Sequence, residues 1–212
     1  MNSSKSLLIT ILFVSAYLFA HAQNDWVFEK EKNGITVYSR MIENSPFKEF
    51  KTILKVAHVP YNAVVGQLND VDTHSEVFHT IEKATLTENT PRHYKIFSLL
   101  DLPWPMNDRS MWLDNIVTHS NEGKDIKIDI DCINDKQFTQ DGYMHIENCN
   151  GSWIIKSLGE DKSYIEYQFF LDLGGNAPAK IVNYKSVEEN YKTVKSVVDR
   201  SNLDQYKNYV LE

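Results

Sequence analysis

Asp125-Ile126-Lys127-Ile128-Asp129-Ile130-Asp131-Cys132-Ile133 alternates polar and apolar residues without a break. A period of two is that of an extended strand, whose successive side chains point to opposite faces. Ile126, Ile128, Ile130 and Cys132 fall on one face and Lys127, Asp129 and Asp131 on the other. One dry and one wet side is the signature of an antiparallel sheet covered on a single face.

The same reading extends in both directions. Gly34 to Arg40 alternates likewise, and Phe47 to Val56 is its hairpin partner across the turn at Asn44-Ser45-Pro46. Pro60 opens a short helix through Ala63, Val64 and Leu68 that ends near Asn69-Asp70. Further strands are expected at about 79–87, 92–100, 109–119, 148–158 and 163–171, separated by turn-forming stretches such as Asn121-Glu122-Gly123. The last long element differs. After Asn176 and Pro178, the residues Ile181, Tyr184, Val187, Tyr191, Val194 and Val198 recur at spacings of three and four, which predicts an amphipathic helix with that stripe inward. The expected class is α+β, one domain over 23–201 made of a long antiparallel sheet and a final helix, followed by a polar, loosely held tail at 202–212.

The chain of 212 residues carries 22 basic and 29 acidic residues, and no run of Lys and Arg is long enough to follow a line of phosphates. Nucleic acid is therefore not an expected partner. Lys5, the apolar run Leu7 to Ala20 and the small-x-small triplet Ala20-His21-Ala22 read as a secretory leader, 1–22, too short to span a bilayer. The expected location is periplasmic or extracellular. Two cysteines in an exported chain suit a disulfide. If strands 125–133 and 148–158 pair so that Cys132 opposes Cys149, Ile128 opposes Trp153; two buried free thiols are the alternative.

Alternation places Tyr94, Ile96 and Ser98, then Arg109, Met111, Leu113 and Asn115, then Tyr167 and Phe169 on the inner face. Arg109 is the conspicuous member, because an unpaired guanidinium away from water is strongly unfavourable. It either caps the end of the sheet with Asp108 or Asp101 or meets a ligand's polar head. No H-E-x-x-H, G-x-S-x-G, P-loop or G-x-G-x-x-G motif occurs. His74 and His79, near Asp70, Asp72 and Glu76, read as loop residues rather than metal ligands, and no cofactor is expected. Asn150-Gly151-Ser152 matches a glycosylation sequon but lies within an expected strand.

Leu102-Pro103-Trp104-Pro105-Met106-Asn107-Asp108-Arg109-Ser110 resembles the P-x-P…(D/N)-R-D segment of START domains, the lipid-transfer modules related to steroidogenic acute regulatory protein. Trp26 with Gly34 to Arg40 is similar to that family's opening strand, Gly151-Ser152-Trp153 to its G-x-W strand, and Leu171 to Asn183 to its D-x-G-G-x-x-P approach to the last helix. Ser110 departs from the pattern, which usually has Asp there. The resemblance spans about 26–200 and implies a helix-grip fold, a curved sheet around the last helix enclosing an apolar cavity. It implies one bound lipid or sterol-like molecule and no catalysis. The acidic charge leaves transient apolar contact as the expected way of meeting a membrane, and a monomer is expected. Tyr94, Ile96, Ser98, Trp104, Arg109, Met111, Leu113, Asn115, Ile128, Trp153, Tyr167, Phe169, Tyr191 and Val194 are the expected cavity or mouth residues. Two other classes compete. One is a helix-grip enzyme resembling aromatic polyketide cyclases, with Arg109 and Tyr94 as its polar pair; the other is an interaction module with a filled core.

Overall fold

A computed structural model describes residues 25–90, 92–135 and 139–210. The expected leader, 1–22, lies outside them. The elements in chain order are β1 (Val27–Lys32), β2 (Ile35–Met41), β3 (Lys48–Ala57), α1 (Tyr61–Asn69), α2 (His74–Val77), β4 (Ile81–Thr90), β5 (His93–Leu100), β6 (Arg109–Ser120), β7 (Asp125–Cys132), β8 (Met144–His145), β9 (Asn148–Ser157), β10 (Ser163–Asp172), α3 (Ala179–Ser201) and α4 (Asp204–Lys207). The strands form one curved, unclosed sheet in the order β1-β2-β3-β10-β9-β7-β6-β5-β4. All of these pairs are antiparallel, and the short β8 adds a parallel pairing to the start of β6. The long helix α3 packs on β2 and β3 and against α1 and α2.

Alternation becomes burial along the central strands. Ile126, Ile128 and Ile130 of β7 are buried, as are Tyr94, Ile96 and Ser98 of β5 and Ile165 and Tyr167 of β10. The register sets Ile128 opposite Trp153, and one position beyond the paired residues Cys132 and Cys149 are disulfide-bonded with Cα atoms 5.0 Å apart. β1 lies in what reads as a polar lead. Val-Phe-Glu-Lys-Glu-Lys has no clean apolar alternation because this strand ends the sheet and is largely wet on both sides.

Two segments differ from expectation. In α3, Tyr191 and Val194 are buried and Val187 and Val198 half-buried, but Ile181 is exposed and Tyr184 is 82% exposed. The helix is rotated so that its first half aims a different, more polar row at the sheet. Within 202–210, Tyr206 and Tyr209 are tied to the rest of the fold. Tyr206 is buried with its hydroxyl donating to Asp70 Oδ2 at 2.5 Å. The Tyr209 ring lies against α1 where Gly66 has no side chain; a Cβ there would come within 2.7 Å of the ring. Asn62 and Asn69 of α1 donate to the Tyr209 carbonyl and hydroxyl at 2.7 and 3.0 Å.

Candidate ligand cavity

Between the sheet and α3 lies a cavity of about 410 Å³. Its sheet wall is built from alternate residues of five strands: Tyr94, Ile96 and Ser98 of β5; Met111, Leu113 and Asn115 of β6; Ile128 of β7; Trp153 of β9; Tyr167 and Phe169 of β10. Ten of the expected residues are thus brought to one surface. Tyr167 stacks between Trp153, with ring centres 4.2 Å apart, and Phe169, 5.8 Å away. Gly151 makes the Phe169 position possible. It faces Phe169 across the β9–β10 ladder, and a Cβ on it would lie 2.3 Å from the Gln168 carbonyl oxygen and 2.4 Å from the Phe169 ring. The aromatic row lies along one wall, beside the space under α3.

The opposite wall is helical, and sequence reasoning missed it. Val182, Asn183, Ser186, Glu189, Asn190 and Thr193 of α3 line the cavity at helical spacing, while the apolar stripe of the same helix turns elsewhere. A readable signal was present. Asn and Ser are poor residues inside a helix unless their side chains have a use, and here three of them fall on one face. Asn183 clamps the β2–β3 turn, accepting from the Lys48 amide and donating to the Pro46 carbonyl, each at 3.0 Å. Among the lining residues the exposed ones are His79, Asp101, Pro103 and Lys185, which mark the rim.

Four expected cavity residues lie elsewhere. Trp104 is 93% exposed on the loop before β6, whose neighbours Pro103 and Met106 do reach the lining. Val194 is fully buried in packing rather than on the void. The Tyr191 hydroxyl accepts from Asn33 Nδ2 at 3.0 Å, and Lys30 sits 4.4 Å above its ring, so this side chain faces the β1–β2 hairpin. Arg109 corrects the strongest functional expectation. It is 1% exposed, outside the cavity lining, and its guanidinium donates to the carbonyls of Leu173, at 2.8 Å, and Asn107. Burial lowers its pKa from the ordinary value and Asp108 opposes the shift. Its charge is met by main-chain oxygens at the joint of β6, the preceding loop and the β10–α3 turn. In that turn Gly174 and Gly175 have φ of +62° and +56°, and Asp172 Oδ1 accepts from the Gly174 amide at 2.9 Å. An Arg109–Tyr94 acid pair is accordingly not formed in the cavity.

The sheet wall and α2 add further polar groups to the row on α3, among them Tyr94, Tyr167, His74, Asn115 and Ser98. Burial raises the pKa of Tyr94 and Tyr167, the nearby Tyr209 adding to the effect at Tyr94, so both hydroxyls stay protonated at neutral pH. Desolvation lowers the pKa of His74, against the opposing pull of the Leu68 carbonyl, Asp70 and Asp72. The neutral ring donates from Nε2 to that carbonyl at 3.0 Å. No group of three or more His, Cys, Asp or Glu able to hold a metal ion occurs among the described residues. Asn115 donates to the Tyr94 and Leu113 carbonyls at 3.3 and 3.4 Å. Ser98 Oγ and Asn190 Oδ1 are buried and have no hydrogen-bond partner among the described residues.

No family model matches the chain. An uncharacterized protein of Pseudomonas aeruginosa is 20% identical over 197 residues, covering 90% of this chain and 95% of the relative. A STAR-related lipid transfer protein fragment from Xanthomonas axonopodis superposes with a TM-score of 0.76 at 22% identity, over 84% of this chain and 99% of that one. Human StAR-related lipid transfer protein 5 gives a TM-score of 0.71 at 13% identity, over 93% and 97%. An aromatase/cyclase from Streptomyces is more distant, at a TM-score of 0.52, 11% identity and 72% of this chain. Sheet order, the helix it grips and these superpositions agree: the chain has the START, or helix-grip, fold.

Proposed function

We propose that this protein binds one hydrophobic small molecule, a lipid or sterol-like compound, in the cavity between its sheet and α3, and carries it without chemistry outside the cytoplasm. The observation behind this reading is the 410 Å³ void with a mainly apolar sheet wall. That volume falls within the range of about 300 to 1,000 Å³ typical of small-molecule sites, which are mostly apolar with a few placed polar groups. The solved neighbours named as lipid-transfer proteins support it. The leader-like 1–22 and the Cys132–Cys149 bond suit an oxidising compartment. With a net charge of -7, pickup from a membrane would rely on brief apolar contact by a monomer rather than on attraction to anionic lipid.

Native mass spectrometry of protein purified without detergent tests this. The expected spectrum shows one small molecule per chain, extractable into organic solvent. Leu113→Trp, which fills the cavity from β6, should abolish that adduct while leaving the far-ultraviolet circular dichroism unchanged. An empty wild-type protein that also takes up nothing from mixed lipid vesicles would refute the reading.

A further inference from the structure

We propose that residues 202–210 form a latch over a second route into the cavity, at the end away from the mouth, with Tyr94 as the inner door of that route. This rests on the binding reading above and adds to it how a guest enters and leaves.

The route follows from strand alternation. On β6, Met111, Leu113 and Asn115 face the cavity, and the next two residues of the same row, Val117 and His119, face a separate cleft of about 600 Å³. α1 is divided in the same way, with Leu68 on the cavity and Gly66, Asn69 and Asp70 on the cleft. The two spaces therefore lie end to end under one row of side chains. Tyr94 is common to both linings and is buried, which puts its side chain at the partition. The exposed rim at Asp101 and Pro103 adjoins the start of β6, so the cleft lies at the opposite end.

The outer side of the cleft is chain that has just left α3, with Gln205, Tyr206 and Tyr209 in its lining. Apart from Tyr206 and Tyr209, residues 202–210 are exposed, and α4 has four residues, too few to persist as an independent helix. A small set of side-chain links holds the segment down: Tyr206 and Gln205 to Asp70, and Tyr209 to Asn62 and Asn69. Segments with few buried contacts and exposed backbone are those that open at the lowest cost.

Gly66 shows independently that the seat is shaped for this segment. Glycine is among the least favourable residues inside a helix, yet any side chain here would bring its Cβ within 2.7 Å of Tyr209. α1 gives up helix propensity to receive that ring. Tyr209 in turn acts electrostatically on the Tyr94 hydroxyl, so lifting the segment changes the surroundings of the inner door.

The experiment is stopped-flow fluorescence of N-phenyl-1-naphthylamine, an uncharged hydrophobic fluorophore, entering and leaving the purified full-length mature protein. Two variants loosen the latch and spare the fold. Tyr206→Phe keeps the ring and loses the donor to Asp70; Gly66→Ala favours the helix and displaces Tyr209. Tyr206→Phe should speed entry and exit alike, by about tenfold, the worth of one hydrogen bond to a carboxylate, and Gly66→Ala should act in the same direction. Kd should stay unchanged in both, because a gate outside the site scales the two rates together. Rates equal to wild type in either variant overturn the latch and leave the binding reading standing. So does a faster exit with unchanged entry, which would make the segment part of the binding wall. No uptake by the wild-type protein overturns both.

Discussion

Arg109 shows how a buried charge can be held by main-chain oxygens alone. Its side chain ties the carbonyl of Leu173, just before α3, to that of Asn107, just before β6. Replacing it with Met keeps much of the apolar stem and removes every donor, leaving buried carbonyls unmatched. Arg109→Met should lower unfolding free energy by about 2 to 5 kcal/mol, measured by urea denaturation, without changing which lipid is bound. A normal denaturation midpoint with lost binding would restore the headgroup role. The sequence announced that Arg109 needed partners, but not which ones. A main-chain oxygen brought from 64 positions away carries no residue signature. Ser98 was legible as an inward polar residue for the simple reason that period two needs no knowledge of the neighbouring strand.

At the scale of elements, strands were read well and helix orientation poorly. β5, β6, β7, β9 and β10 each bury one face, so alternation alone assigns their cavity residues. α3 is covered on more than one side, by β2 and β3 and by α1 and α2, and it borders the void as well. Its most apolar stripe follows the packing, and the cavity receives the row at Ser186, Asn190 and Thr193. β8 escaped notice because two residues carry no periodicity. The link between β7 and β9 is held by Cys132–Cys149 across a separation of 17 residues. Closing a loop of that length is worth about 3 kcal/mol in the chain-entropy account. The double variant Cys132→Ser/Cys149→Ser should lose about that much in denaturant unfolding, and dithiothreitol should have no further effect on it. Equal stability of the two proteins would mean that the bond restrains nothing the strands do not already hold.

For the whole molecule, stability is coupled to pH through the junction of α1, α2 and the cavity. His74 is buried, and its pKa in the folded chain lies below the ordinary 6.5. The unfolded chain therefore takes up a proton first as pH falls. The contribution of His74 is complete above the unfolded value and is lost progressively below it. Thermal midpoints should fall between about pH 7 and about pH 5, and His74→Gln, which can still donate to the Leu68 carbonyl without titrating, should flatten that slope. Parallel slopes for the two proteins would remove His74 as the cause.

A sheet that grips a helix instead of closing on itself ends in two strands, here β1 and β4, with one row of backbone groups facing outward. Such rims template the addition of further chains, and proteins blunt them with charge and irregularity. β1 presents Glu29, Lys30, Glu31 and Lys32, and its pairing with β2 slips between Phe28 and Lys30. β4 carries Glu82, Lys83 and Glu88, with two such slips against β5. The openness that leaves room for a guest thus exposes the fold to polymerisation, and its margins are written in a composition that discourages a second copy from joining the ladder.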